Sequence, residues 1–213
     1  MDIVRNYQKE LEKVLSDITA KGITPSLLLH SCCAPCSSYC LEYLTDYFHV
    51  TIFYYNPNIS YKEEYDRRVQ EQMRLIKALP VKNPISFLEG NYEPEAFYQI
   101  AKGLENQPEG GDRCFACYEL RLKEAAKCAK EHGFDYFTTT LSISPHKNAA
   151  KLNEIGEQAA SEYGVSYLNS DFKKRNGYKR SIELSREYEL YRQDYCGCVY
   201  SKVNAQSHHG SAE

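Results

Sequence analysis

The sequence has no tryptophan and only two methionines, and its 213 residues carry just 11 glycines and 8 prolines. With so few chain-breaking residues, and no repeat at a period of about 20–50 residues, collagen-like, low-complexity and solenoid architectures are excluded. No run approaches the roughly 18–20 uninterrupted apolar residues of a membrane span, so no membrane partner is expected. The opening Met1-Asp2-Ile3-Val4-Arg5-Asn6 lacks the apolar core of a secretory leader, which predicts a cytoplasmic protein. Neither sign of charge dominates. The 26 Lys+Arg against 29 Asp+Glu leave a net charge of −3, which excludes a globally basic nucleic-acid coat but not a local patch. Phosphate-binding loops are missing as well: there is no G-x-x-x-x-G-K-[ST], no G-x-G-x-x-G and no S-G-G-x-D-S.

What is present is a hydrophobic fraction of 42%, enough for a real core, together with 19 tyrosines and 9 cysteines. Nine cysteines are too few for a disulfide scaffold of this length. Their odd number and the lack of a leader point to metal or redox chemistry in a reducing compartment.

The hydrophobic pattern alternates between two periods. Val4, Tyr7, Leu11, Val14/Leu15 and Ile18 predict a helix over residues 1–22, stopped by Gly22. Short apolar runs predict strands at Ser26–His30, Val50–Tyr55, Ile85–Leu88, Phe134–Leu141 and Val165–Leu168. Between them lie helical stripes: Tyr65, Val69, Met73, Ile76; Phe97, Ile100, Leu104; Leu122, Ala125, Ala126, Ala129; and Leu152, Ile155, Ala159, Tyr163. Such alternation predicts an α/β fold, a parallel sheet with helices on both faces and functional loops at the strands' carboxyl ends. One domain over residues 1–205 is expected. Within it, residues 170–200 form a charged, Tyr-rich extension that wraps over the sheet edge. Residues 206–213 read as a flexible tail, in which His208 and His209 are tail residues rather than ligands.

Seven cysteines fall in three groups: Cys32-Cys33-Ala34-Pro35-Cys36, Cys114-Phe115-Ala116-Cys117 and Cys196-Gly197-Cys198. The first follows a strand and opens a helix, where Pro35 suits the first turn and the positive helix end favours a thiolate. The second follows Glu109-Gly110-Gly111-Asp112-Arg113 and also opens a helix. Cys40 and Cys128 read as packing residues. Cys36 and Cys114 are separated by far more chain than a zinc ribbon allows, so the two pairs would meet from different strand ends. Soft thiolates there select an iron–sulfur cluster or zinc. The Cys196/Cys198 pair is close enough to form a strained, labile disulfide suited to electron relay, or to remain two buried thiols.

The tract Lys173-Lys174-Arg175-Asn176-Gly177-Tyr178-Lys179-Arg180 holds five basic residues, one tyrosine and no acid. Cations for phosphates and a tyrosine for unpaired bases suit an RNA loop; a solvated surface helix is the plainer alternative.

Leu28-Leu29-His30-Ser31-Cys32-Cys33-Ala34-Pro35-Cys36 resembles the opening motif of the QueH-type epoxyqueuosine reductases. So do Tyr54-Tyr55-Asn56-Pro57-Asn58-Ile59, Arg113-Cys114 to Cys117-Tyr118 with Arg121-Leu122, and Phe137-Thr138-Thr139-Thr140-Leu141 with Ser144-Pro145. The last matches are Asp171-Phe172-Lys173-Lys174 and Tyr191-Arg192-Gln193-Asp194-Tyr195-Cys196-Gly197-Cys198. The resemblance implies a Rossmann-like fold related to the PP-loop (HUP-type) nucleotide hydrolases, without the phosphate loop. It implies reduction of epoxyqueuosine to queuosine at the wobble position of tRNA with a GUN anticodon, the last step of queuosine synthesis. No cobalamin is used; the implied cofactor is a [4Fe-4S] cluster on Cys32, Cys33, Cys114 and Cys117. Cys196 and Cys198 would be the redox-active pair, and an external electron donor is required. An alternative role for that pair is to hold a second iron beside the cluster, with Asp171 or Asp194 as oxygen ligand. His30, His146, Tyr195 and Asp194 are the candidate proton donors. Two rival functions remain: a zinc-stabilised non-catalytic RNA-binding module, and a cluster-dependent tRNA thiolase, which the missing phosphate loop disfavours.

Overall fold

A computed structural model describes residues 5–203. The expected tail, with His208 and His209, lies outside the described residues, as does Val4. The five predicted strands form one parallel sheet in the order β3-β2-β1-β4-β5: β1 Ser26–His30, β2 His49–Tyr54, β3 Ser86–Glu89, β4 Tyr136–Thr139 and β5 Ser166–Tyr167. That order is the Rossmann order, with the reversal of winding between β1 and β4. Leu29 pairs with Ile52 on one side and with Thr138 on the other. The fourth strand is shorter than expected, because Thr140–Ile143 coil into a 3-10 turn.

Side chains alternate across the sheet, so each strand feeds two cores. Leu27 and Leu29 of β1 and Val50, Ile52 and Tyr54 of β2 pack with α1 Tyr7–Lys21, α2 Ala34–Leu44 and α3 Lys62–Ala78. Leu28, Phe53 and Phe137 face the other way, onto α5 Asp112–Glu131 and α6 Ala149–Tyr163. The short α4, Pro94–Ala101, lies against α5 and stops before Leu104. α1 begins where the Asn6 side chain accepts the Lys9 N–H and ends at Gly22, in the left-handed conformation. Cys40 and Cys128 are core residues, as expected. Met73, placed in the apolar stripe of α3, is instead 41% exposed.

The C-terminal extension departs from expectation. Residues Gly177–Glu187 form a seventh helix, α7, which packs on α2. Its buried face is Gly177, Ser181, Leu184 and Ser185, too polar to read as an apolar stripe. Small residues are needed there: a Cβ on Gly177 would stand 2.0 Å from the Phe172 carbonyl oxygen and 2.4 Å from the Tyr39 ring.

Beyond α7 the chain runs as a strap along α3. Arg74 donates to the carbonyls of Tyr188 and Glu189, Glu71 accepts the Tyr191 N–H, and Glu64 accepts from the Tyr191 hydroxyl. The Arg67 guanidinium lies 3.5 Å from the Tyr191 ring centroid, and Arg68 donates to the Cys196 carbonyl. Residues 64, 67, 68, 71 and 74 recur at three-to-four spacing, so one polar stripe of α3 carries the strap to the carboxyl ends of the strands.

Candidate metal centre and substrate cavity

The loop after β1 enters the crevice at the β1/β4 reversal, where open α/β sheets bind ligands. A buried scaffold fixes it. Asn56 Nδ2 donates to the Ser31 carbonyl at 2.8 Å. The Ser31 and Ser37 hydroxyls donate to Gln72 Oε1 at 2.8 and 2.7 Å, and Gln72 is fully buried. The Tyr54 hydroxyl donates to the Cys32 carbonyl. Cys33 is the N-cap of α2 and Pro35 lies in its first turn, so the positive end of the helix faces the thiols.

In this frame the sulfurs of Cys32, Cys33 and Cys36 all lie within 4.8 Å of one another. The Cys32 and Cys33 sulfurs are 3.7 Å apart. Hydrogen bonds from Cys33 and Cys36 hold the Cys32 thiol well below its ordinary pKa. The same contact with Cys32 pushes Cys33 up to about 12 and raises Cys36. The contacts thus favour the thiolate at Cys32 and the thiol at its two neighbours, and thiolate sulfur is the donor that a soft metal ion takes. Cys36 belongs to this triad, although the sequence left it outside the ligand set.

The second group opens α5. Cys114 Sγ accepts the Gly110 N–H at 3.3 Å, and burial pushes Cys117 up to about 12 against the pull of Arg121. Cys114, Cys117, Cys196 and Cys198 line a small cavity of about 20 Å³. Next to it lies a cavity of about 580 Å³ lined by Cys32, Cys33, Cys36 and Cys196. Cys196, His146 and Lys147 border both. Tertiary structure thus brings all three cysteine groups to two adjoining cavities. Among the described residues, no fourth ligating group lies within 4.8 Å of all three sulfurs of the first triad.

Cys196 and Cys198 are free thiols, so the disulfide expected from their spacing is not formed in this structure. Cys198 Sγ accepts the Ser201 N–H at 3.4 Å, and Asn58 Nδ2 lies 4.0 Å from Cys196 Sγ. Gly197 between them has φ +118°, and its C-terminal side is tied to the loop after β2. Ser60 N–H donates to the Gly197 carbonyl, and Val199 N–H donates to the Ser60 hydroxyl.

The remaining predicted residues divide. Asp194 and Tyr195 border the larger cavity, as do His146, Tyr178 and Arg68. Asp171 does not; it is paired with Lys173 at 2.6 Å. His30 is fully buried beneath the thiol loop. The Tyr55 carbonyl can only accept, so the proton sits on His30 Nε2 (3.0 Å) and Nδ1 accepts from the Thr139 hydroxyl (2.9 Å). Burial lowers its pKa to about 4. With both nitrogens engaged and the ring neutral, His30 joins β1 to β4 and the end of β2 and lines neither cavity. In the basic tract, Arg175 pairs with Glu12, and Arg180 with Glu42, Glu183 and Glu187. Lys174 and Lys179 are exposed and have no ion pair among the described residues.

A sequence profile described as epoxyqueuosine reductase QueH matches residues 27–204. The chain belongs to the QueH family. It is an oxidoreductase family by that description. Among its relatives, the epoxyqueuosine reductase QueH of Staphylococcus epidermidis is 48% identical over 202 residues, covering 93% of this chain and 85% of that one. The QueH of Streptococcus pyogenes is 45% identical over 198 residues, covering 92% and 78%. That of Thermotoga maritima is 33% identical over 190 residues, covering 86% and 94%. A solved NMN synthetase from Francisella tularensis aligns over 97% of this chain and 93% of its own at 12% identity, with a TM-score of 0.37, too low to place the two in one fold. The Rossmann arrangement of this QueH chain rests on its own strand order. Among the described residues no helix is long and apolar enough to cross a membrane.

Sequence reasoning missed the cations of the site. Arg68 and Arg121 are 2% and 1% exposed, and Lys147 is half-buried. Burial works against the Lys147 charge, yet Cys196, Cys32 and Cys36 outweigh it and raise its pKa. For Arg121 a signal existed: positions 114, 117 and 121 lie on one face of a helix.

Proposed function

We propose that this chain reduces the epoxide of epoxyqueuosine to queuosine at the tRNA wobble position, with a [4Fe-4S] cluster held by Cys32, Cys33, Cys114 and Cys117. The observation that carries this reading is the convergence of the three cysteine groups on adjoining cavities at the sheet's switch point, where a nucleotide phosphate would otherwise dock. The donor set fits the group: sulfur only, beside two helix N-termini, with buried cations and no carboxylate in the triad. When bound, the cluster supplies electrons singly. The overall change takes two electrons from an external donor and two protons, turns the epoxide into an alkene, and releases the oxygen as water.

The protein's own groups then have separable tasks. The cavity of about 580 Å³ has the volume for an extruded nucleoside. Tyr178, on the first turn of α7, borders it, so the basic tract sits at its rim, and Lys174 and Lys179 are the cations available to RNA phosphates. Asp194, Tyr195 and His146 border the cavity and can hold the protons that leave with the oxygen. Cys196 lies between the two cavities, which suits the redox pair with Cys198, or a second iron with Asp194.

The test is anaerobic purification followed by iron and sulfide analysis per chain, with mass spectrometry of tRNA nucleosides from cells lacking the gene. The expected results are a coloured protein with about four iron and four sulfide per chain, and accumulated epoxyqueuosine. Cys114→Ser loses both iron and turnover. Cys198→Ser keeps the iron and loses turnover. A colourless zinc protein whose loss leaves queuosine unchanged would replace this reading with the RNA-binding module.

A further inference from the structure

The small cavity behind the cysteines contains a cation, Arg121, that pairs with no carboxylate among the described residues, although Glu109 also lines that cavity. Arg121 stands one turn beyond Cys117 on α5, is 1% exposed, and donates through Nε to the Cys117 carbonyl at 3.1 Å. Neither Nη1 nor Nη2 has a hydrogen-bond partner among the described residues. The other buried arginines, Arg68 and Arg113, each leave only one buried nitrogen unpartnered, Nη2 and Nε respectively. Arg68 pairs with Glu64 at 2.7 Å, and Arg113 gives Nη1 to the carbonyls of Leu104, Glu105 and Gln107. A guanidinium does not shed its proton in a protein, and a buried one without an anion is strongly disfavoured. The groups that act most favourably on the Arg121 charge, against its burial, are sulfurs, ahead of the Tyr118 hydroxyl. The sulfurs are those of Cys117, Cys196 and Cys32, one from each cysteine group.

We propose that Arg121 is the counter-cation of a metal–thiolate centre at the three cysteine groups and donates its free N–H groups to that centre's sulfur. It is a positioning residue, and the inference rests on the reading that these thiols hold a metal. Thiolates bound to a metal keep a net negative charge, whereas the same side chains without metal are mostly neutral thiols. A fixed cation in a low-dielectric setting therefore favours the loaded state. Each added electron makes the centre more negative, so the same cation favours the reduced form. Lys147 also faces Cys196, Cys32 and Cys36, but it is half-buried and has a flexible stem. Arg121 is held in place by its own helix.

The experiment compares wild type, Arg121→Gln and Arg121→Lys as anaerobically purified holoenzymes. Three quantities are read: metal and sulfide per chain, the rate of metal release to EDTA, and the midpoint potential from a titration followed by electron paramagnetic resonance. Arg121→Gln is expected to release metal about ten-fold faster and to show a lower midpoint. Arg121→Lys, which keeps the charge but not the fork, recovers the midpoint and only part of the retention. Wild-type release and wild-type midpoint in both variants would overturn the inference while leaving the cluster reading intact. If Arg121→Gln does not fold, Arg121→Lys decides alone: unchanged release overturns the proposal. A wild-type protein holding zinc without sulfide ends the cluster reading instead. The release rates of zinc then still judge Arg121, and equal rates overturn it. Wild type with no metal overturns both.

Discussion

Replacing Gly197 with alanine perturbs the left-handed backbone position between Cys196 and Cys198. Gly197 has φ +118°, a region that residues with a Cβ rarely occupy. A Cβ there would stand 2.9 Å from Ile59 Cγ1 and 3.3 Å from Arg68 Nη1, inside ordinary carbon contact. Neither neighbour can retreat easily. Ile59 is 1% exposed and belongs to the core, and Arg68 is pinned between Glu64 and the Cys196 carbonyl. Backbone strain at such a position costs about 1–3 kcal/mol, and the two close approaches place the sum in the upper half, about 2 kcal/mol or more. That penalty falls on the docked strap and not on the sheet. It raises the opening constant of the strap by about thirty-fold, since 1.4 kcal/mol is a factor of ten. Hydrogen–deuterium exchange reads this directly. Peptides covering residues 188–200 of Gly197→Ala should exchange about thirty-fold faster, while peptides covering β1 and β4 keep their wild-type rates. A Gly22→Ala variant is the control: its φ is +63° but no atom lies within 4 Å of the added Cβ, and any change is confined to the end of α1. Unchanged exchange of the strap in Gly197→Ala, or equal acceleration of the strap and β1, would refute the view that the strap is a separately docked element held at this glycine.

Two further outcomes follow from the same interactions. His30 is neutral in the folded chain with a pKa lowered by burial to about 4, against 6.5 when free. Between those values the unfolded chain binds the extra proton, so stability falls as pH falls from 6.5 towards 4, by about 2 kcal/mol at pH 5. Urea unfolding at pH 7 and pH 5 should show this loss in wild type beyond that of His30→Gln; identical losses would mean that the imidazole is not buried neutral. Lys174→Ala with Lys179→Ala should weaken RNA binding and reduce the slope of log affinity against log salt by about 0.7–0.9 for each phosphate no longer neutralised. Arg175→Ala, whose partner is Glu12, should change the slope less, and an unchanged slope in the double variant would remove the tract from the RNA interface.

The periodicity of the chain already carried the sheet. Leu27, Leu28 and Leu29 had to be a strand buried on both faces, and helical stripes between such strands leave little besides a parallel α/β arrangement. Helix α7 escaped that reasoning because its buried face is Gly177, Ser181 and Ser185, chosen for closeness to α2 and not for hydrophobicity. The polar stripe of α3 escaped it too, since charged residues at helical spacing look the same on a solvated face as under a strap. Met73 shows the converse, an apolar residue at the expected spacing that faces solvent.

For the site, local sequence was enough wherever the chemistry is local. Cys32, Cys33 and Cys36 are close neighbours at the mouth of α2, so their grouping is legible from spacing, although Asn56, Gln72 and Tyr54 fix the loop, and thiolate softness names the class of metal. Which distant groups join them is a different kind of fact. The reversal between β1 and β4, the pairing of α5 with the same crevice, and the grip of α3 on residues 188–198 bring the three groups together, and these depend on long-range packing with no sequence spacing to announce it. The same holds for charge. Whether His30 titrates, or Arg121 finds an anion, is decided by burial and by which atoms lie opposite, and both are properties of the folded chain alone.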